Sequence, residues 1–248
     1  IGAYFMARNL MRVIRRHIQY DRCRQFRERQ AEAALAAALV HDVGHGMFSH
    51  AFEEVGRKLN LPLTKHEAGS ERLVRDSEIS HVFSELGSGF ANDVADVIKR
   101  GGQPGDLYDA VVSSQFDADR LDYMQRDRLM TGVESSGIDA TWLLANLEIA
   151  SVRTGADDQA AEQVETLVLG PKAFRVAESY VLSLFQLYPN VYFHKTTRAA
   201  EKVFVDLLLR LIALTKDGHG DKTGLPANHP IQRFAAEPER FEHAIALD

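Results

Sequence analysis

The segment His41-Asp42-Val43-Gly44-His45-Gly46-Met47-Phe48-Ser49-His50, followed by Glu53, puts three imidazoles and two carboxylates into thirteen residues at the end of an Ala-rich apolar run. A surface seldom needs that density of histidine, and a core accepts it only when the rings have partners. Mixed nitrogen and oxygen donors suit a divalent transition metal, and such an ion makes a hydroxide nucleophile near neutral pH. His41 and Asp42 are adjacent, and adjacent helix residues do not face one another. An ion shared by both must lie against the helix end and take its remaining ligands from elsewhere. The segment reads as the centre of a hydrolase.

A second cluster runs Asp117-Ala118-Asp119-Arg120-Leu121-Asp122-Tyr123 and continues through Arg126, Asp127 and Arg128. Asp119, Tyr123 and Asp127 stand at i, i+4 and i+8, a single stripe that drifts by only about 40° per step. Two carboxylates flanking a phenol would suit a ligand lying along the helix. Taken alone, the same pattern also describes a solvated face of mixed charge. The first cluster lacks the ligands to close a site, and this helix can supply one. A third group, Tyr192-Phe193-His194-Lys195 with Arg198, combines aromatics with cations, and His66 opens a helix before Glu67. The arginine-rich stretch 22–29 suits either an anionic partner or a solvated helix face. His17, His81, His219, His229 and His243 have no such company and read as structural or exposed.

The elements that must position these residues are mostly helices. Helical spacing of apolar residues predicts helices over 1–18, with Arg8, Arg12, Arg15 and Arg16 on the wet side, then over 28–41, 48–59, 66–76, 90–100, 107–114 and 117–130. A further helix is expected at 141–147, and others run from Pro171 to Tyr188 and over 191–216. The runs 147–152 and 164–169, β-branched and separated by a polar segment with Gly155, predict a hairpin. Residues 217–230 read as a loop. At 248 residues the chain can bury a full core, and its net charge of -6 argues against a dedicated nucleic-acid binder. A lone cysteine excludes a disulfide framework and fits a reducing compartment, with a cytoplasmic location as the expectation. The longest apolar runs fall short of a membrane span.

The two blocks His41-Asp42-x-Gly-His45-Gly-x-Phe48-Ser49-His50 and Asp117-x-Asp119-Arg120-x-Asp122-Tyr123-x-x-Arg126-Asp127 resemble the HD-domain phosphohydrolases, and within them the deoxynucleoside triphosphate triphosphohydrolases, from Ile1 to roughly Phe204. The resemblance implies a mainly α fold: an HD-type helical bundle over 1–215 with a hairpin insertion at about 147–169, and 216–248 as a loop and the start of a further region. It implies a divalent metal (manganese, magnesium, iron or cobalt) held by His41, Asp42 and Asp119, with a fourth ligand, a histidine, expected just before Ile1. His50 matches the general acid, Glu53 its carboxylate partner, and His45 and His66 histidines that contact the triphosphate. Arg120 matches a lysine with that same role, Tyr123 and Asp127 lie beside the sugar, and Tyr192 with Lys195 belongs to a Tyr-x-His-Lys pocket motif. The implied substrate is a deoxynucleoside triphosphate, and the implied assembly a homo-oligomer, dimer or tetramer, with a nucleotide effector. A nucleotidase or phosphodiesterase on another nucleotide, or an inactive nucleotide- or nucleic-acid-binding regulator, stands as the alternative.

Overall fold

The computed structural model describes residues 1–21, 23–100, 106–133, 137–154 and 162–247; Arg22 and Gly155 lie outside them. The elements in chain order are α1 (Gly2–Tyr20), α2 (Glu28–Val40), α3 (His50–Leu59), α4 (His66–Arg75), α5 (Glu78–Ser84), α6 (Phe90–Lys99), α7 (Ala118–Thr131), α8 (Ala140–Ala145), β1 (Leu147–Thr154), β2 (Glu162–Leu169), α9 (Phe174–Leu187), α10 (Lys195–Lys216), α11 (Pro230–Ala236) and α12 (Phe241–Ile245). The fold is mainly α, as expected. The chain divides into two compact units, residues 1–40 with 82–192 and residues 41–81 with 193–248.

In the first unit α1 buries Ala3, Met6, Ala7, Leu10, Met11, Ile14 and Ile18. That three-and-four spacing makes one apolar face, which packs with α2, α7 and α9 in a single core. Helix α2 contributes Ala31, Ala34 and Ala38 to it, small residues that let its neighbours approach closely. A Cβ at Gly2, where α1 meets α7, would stand 2.0 Å from Asp122 Oδ1, so the Asp122 side chain would have to shift to admit one. The hairpin forms as predicted and extends further, antiparallel from Leu147 opposite Leu169 to Thr154 opposite Glu162. His17 is structural, its Nε2 2.9 Å from the Leu147 carbonyl.

Two predicted helices are corrected. Residues 107–114 yield only a 3-10 turn, Asp109–Val111. There Asp106 Oδ1 accepts from the amides of Tyr108 and Asp109, at 2.9 and 3.1 Å, which offers the backbone a turn in place of a helix. The helix expected from 191 starts at Lys195, since α9 ends in a π-helical turn, Tyr188–Tyr192, containing Pro189.

In the second unit Phe52 and Val55 of α3 pack with Val205, Leu208 and Ile212 of α10 and with Phe234 and Ala235 of α11. Helix α3 begins at His50 and not at 48, because Phe48 and Ser49 adopt φ of 59° and 54°, incompatible with continuing a right-handed helix. Among the described residues no helix is long and apolar enough to cross a membrane.

Candidate active site

Helix α2 stops at Val40, and the loop that follows is clamped by Ser70 of α4. The Ser70 hydroxyl donates to the His41 carbonyl at 2.5 Å and accepts from the Gly44 amide at 2.9 Å. No side chain fits at Gly44, since a Cβ would lie 2.1 Å from the Ser70 amide nitrogen. Residue spacing assigns no role to Ser70. Its one signal is the small pair Gly69-Ser70, which marks a close backbone approach.

The clamp holds His41, Asp42 and His45 together. His41 Nε2 stands 3.3 Å from Asp42 Oδ2, and His45 Nε2 stands 3.6 Å from Asp42 Oδ1. A ring nitrogen and an exposed carboxylate oxygen that close together fit a divalent cation of the nitrogen-and-oxygen type.

A second set of side chains converges on Glu53, one turn into α3. Its Oε2 lies 3.2 Å from His50 Nδ1, and its Oε1 lies 2.5 Å from His66 Nδ1. Oε1 also accepts the His66 backbone N–H at 3.0 Å, satisfying one of the orphan donors at the start of α4. The rings of His45 and His66 stack with centroids 4.1 Å apart, and His50 stands edge-on to both, at 5.2 and 5.6 Å. One donor atom from each of His45, His50, Glu53 and His66 lies within 4.8 Å of the others. The structure therefore brings these four predicted residues together.

The electrostatics follow from that packing. Burial alone would raise the Glu53 carboxyl, but the amide and ring of His66 and the ring of His50 outweigh it and hold it at about 2. Glu53 is thus an anion throughout the neutral range. With Nδ1–H directed at Glu53, His50 and His66 each present Nε2 outward, a tautomer set by the acceptor. Burial, then the charge of the stacked His66, push His45 below the ordinary histidine value, while Asp42 pulls it the other way.

In the first unit, α7 opens with Asp117 as N-cap, its Oδ1 accepting from the Arg120 amide at 2.8 Å. Burial raises the Asp117 carboxyl to about 6 against the opposing pull of Arg120. The Arg120 guanidinium lies 2.7 Å from Asp117 Oδ2 and also donates to the Ser114 carbonyl. Asp119 is half-buried in the first helical turn. Further along, Tyr192 OH donates to Asp127 Oδ2 at 2.6 Å, and the Tyr123 ring stands edge-on to Tyr192 at 6.1 Å. The stripe Asp119, Tyr123, Asp127 is real, and Tyr192 joins it across 65 positions. Burial lifts the Tyr123 phenol to about 12, and burial with the Asp127 bond lifts that of Tyr192 further. Tyr188, also missed, stands edge-on to Tyr192 at 5.4 Å, four residues earlier on the π-turn. Lys195 lies exposed in the first turn of α10 in the second unit, where His194 caps the helix by accepting from the Thr196 amide at 3.3 Å.

Comparison with known proteins agrees with this architecture. The HD domain model matches residues 3–124, and the HD associated region model matches residues 159–222. An uncharacterized protein of Bacillus subtilis, YwfO, is 35% identical over 77% of this chain and 40% of its own length. A protein of Dictyostelium discoideum described as a deoxynucleoside triphosphate triphosphohydrolase SAMHD1 homolog is 28% identical over 72% of this chain and 33% of its own. The crystal structure of a phosphohydrolase from Bacteroides thetaiotaomicron matches with a TM-score of 0.74 and 27% identity, over 100% of this chain and 56% of that one. The chain thus spans about half or less of the length of these relatives. With two models that together match most of its residues, the chain carries an HD domain followed by an HD associated region and belongs to the HD-domain family, and its histidine, aspartate and glutamate groups could hold a divalent metal.

Proposed function

We propose that this protein is a metal-dependent triphosphohydrolase that cleaves a deoxynucleoside triphosphate to the deoxynucleoside and inorganic triphosphate. The observation that carries the reading is the Glu53 carboxylate holding His50 and His66 beside the stacked His45, next to the His41–Asp42 pair. The aromatic and carboxylate stripe of Tyr123, Asp127 and Tyr192 supports it, as does the similarity to proteins described as deoxynucleoside triphosphate triphosphohydrolases.

In this proposal His41, Asp42 and Asp119 would hold a divalent ion, together with the further histidine ligand that the family resemblance implies. When bound, such an ion polarises the α-phosphoryl group and lowers the pKa of water. His45 donates through Nε2 to the triphosphate oxygens, His66 does so as the imidazolium because its Nδ1–H is held by Glu53, and Arg120 and Lys195 add positive charge, so the anionic substrate no longer repels the incoming nucleophile. Water oxygen bonds to the α-phosphorus and releases a proton to solvent, while the bond from phosphorus to the 5′ oxygen breaks. Protonated His50 delivers a proton from Nε2 to that oxygen, and Glu53 stabilises the imidazolium before transfer. Tyr123 and Tyr192 pack against the sugar and leave no room for a 2′ hydroxyl, while Asp127 accepts from the 3′ hydroxyl. Assembly as a dimer or tetramer controlled by a nucleotide effector belongs to the same reading.

The test is a panel of deoxynucleoside triphosphates, nucleoside monophosphates and cyclic nucleotides, incubated with metal-loaded protein and followed by product identification. Triphosphate release from the first group alone supports the proposal. Turnover confined to monophosphates or cyclic nucleotides would replace it with a nucleotidase or phosphodiesterase.

A further inference from the structure

Helix α1 carries a row that the proposed hydrolysis does not use. Tyr4, Arg8, Arg12, Arg16 and Tyr20 follow one another at strict intervals of four. All three arginines are exposed, and Tyr20 is 85% exposed. The arginine-rich stretch that the sequence singled out behaves differently. Arg24 pairs with Asp21 and Glu165, Arg27 with Asp106 and Arg29 with Asp93, so the charge of these three is spent internally. Arg15 of α1 likewise pairs with Glu28. Among the described residues, Arg8, Arg12 and Arg16 have no carboxylate partner: Arg8 leans on the Tyr4 ring, Arg12 donates to Asn9, and Arg16 makes no polar contact. Like charges at i, i+4 destabilise a helix. A chain with a net charge of -6 keeps three of them in line on one helix.

The row also borders a furrow. Arg12 and Arg16 line a cavity of about 380 Å³ against Thr141 and Leu144, and Arg16 and Tyr20 line an adjoining one of about 410 Å³ against Leu147 and Lys172. Lys172 adds a fourth cation, with Glu148 as the one carboxylate on the rim. Successive arginines rise by about 6 Å along the axis. That step is of the order of the distance between neighbouring phosphates along a nucleic-acid strand, because the roughly 3.4 Å per phosphate of a duplex is a rise along the helix axis. It suits an extended single strand, whose bases stack on exposed aromatic rings while the phosphates meet cations.

We infer that the Arg8–Arg12–Arg16 row with Tyr20 is a binding site for single-stranded nucleic acid, in which the phosphodiester backbone follows the arginines and a base stacks on Tyr20. The net negative charge of the chain argues against a dedicated nucleic-acid binder, but a single unpaired stripe supplies the local potential that a short strand needs. The site is independent of the hydrolytic residues, so it stands or falls separately from the proposed reaction.

The experiment is fluorescence anisotropy of a labelled twelve-nucleotide oligo-dT with the whole protein, across a salt series. Binding is expected to weaken with salt at a log–log slope of about −2, for three phosphate contacts on a single strand. The duplex form should bind at least tenfold more weakly. The double variant Arg12→Glu/Arg16→Glu should lose at least tenfold in affinity and flatten the slope, with triphosphate hydrolysis and circular dichroism unchanged. Tyr20→Ala should lose several-fold and leave the slope as it was, a readout that a misfolded charge variant could not imitate. Failure of the wild type to bind at low salt, or equal binding by both variants, overturns the inference. So does arginine-dependent binding to phosphatidylserine vesicles in place of the oligonucleotide, which would assign the stripe to a membrane surface.

Discussion

Glu53 and His66 meet twice, the carboxylate oxygen Oε1 accepting both the backbone N–H of His66 at 3.0 Å and its ring at 2.5 Å. One oxygen thereby starts α4 and fixes a ring orientation, while the other, Oε2, faces His50. Glu53→Gln removes the charge that holds both rings. Turnover of a triphosphate should fall by about 10²- to 10⁴-fold, the range of a lost general-acid arrangement, with nucleotide affinity changed by less than about tenfold. Single-turnover kinetics beside a binding titration measure the two separately.

The same carboxylate predicts a pH dependence of stability. Its folded pKa of about 2 lies below its ordinary value of 4.5. A depressed carboxyl stabilises above its unfolded pKa and loses that contribution as pH falls through the folded one. The difference in unfolding free energy between wild type and Glu53→Gln should therefore be full at pH 6, on the order of 1 kcal/mol once solvent screening of this partly exposed group is allowed for. It should shrink steadily from about pH 4.5 towards pH 2. Urea midpoints at pH 6 and pH 3 read it directly.

Tyr192 and Asp127 form the sugar-side counterpart. Tyr192→Phe deletes a bond to a charged acceptor, which is worth about 1.5–3 kcal/mol, and frees the Asp127 side chain. The ratio of kcat/KM for a deoxynucleoside triphosphate over its ribonucleotide should drop by at least tenfold. An unchanged ratio would remove Tyr192 from sugar selection.

Removal of the implied metal should be equally specific. Asp119→Ala and His41→Ala should each lower bound metal at least tenfold by elemental analysis of the purified protein and abolish turnover. Their thermal midpoints should stay within a few degrees of the untreated protein. A metal content unaffected by Asp119→Ala would remove that residue from the ligand set.

Gly44 makes a purely structural prediction. A methyl group there would drive into the Ser70 amide nitrogen at 2.1 Å, a backbone atom that cannot yield. Gly44→Ala should cost more than about 3 kcal/mol, visible as a fall in thermal midpoint together with loss of hydrolysis.

What could be read from the chain divides along physical lines. Period, capping and breaker residues are local, so α1, α2, α4, α6, α7 and the hairpin stand close to where their patterns put them. Helices α5, α11 and α12, of seven, seven and five residues, are too short to display a period and went unforeseen. The missed features at the site depend on contacts remote in sequence. Ser70 clamps His41 from 29 positions away, and no spacing rule anticipates it. Glu53 as partner of His50 follows from helical i, i+3 geometry, but its bond to His66 crosses a loop and emerges only in the fold. The positive φ of Phe48 and Ser49, which starts α3 at His50, is likewise silent in the residue types.

The most direct test is phosphorus NMR of the reaction mixture after metal-loaded protein meets a deoxynucleoside triphosphate. Inorganic triphosphate should appear as the first phosphorus-containing product, in step with free deoxynucleoside. Pyrophosphate with a nucleoside monophosphate, orthophosphate with a diphosphate, or an unconsumed substrate would contradict cleavage between the α-phosphorus and the 5′ oxygen.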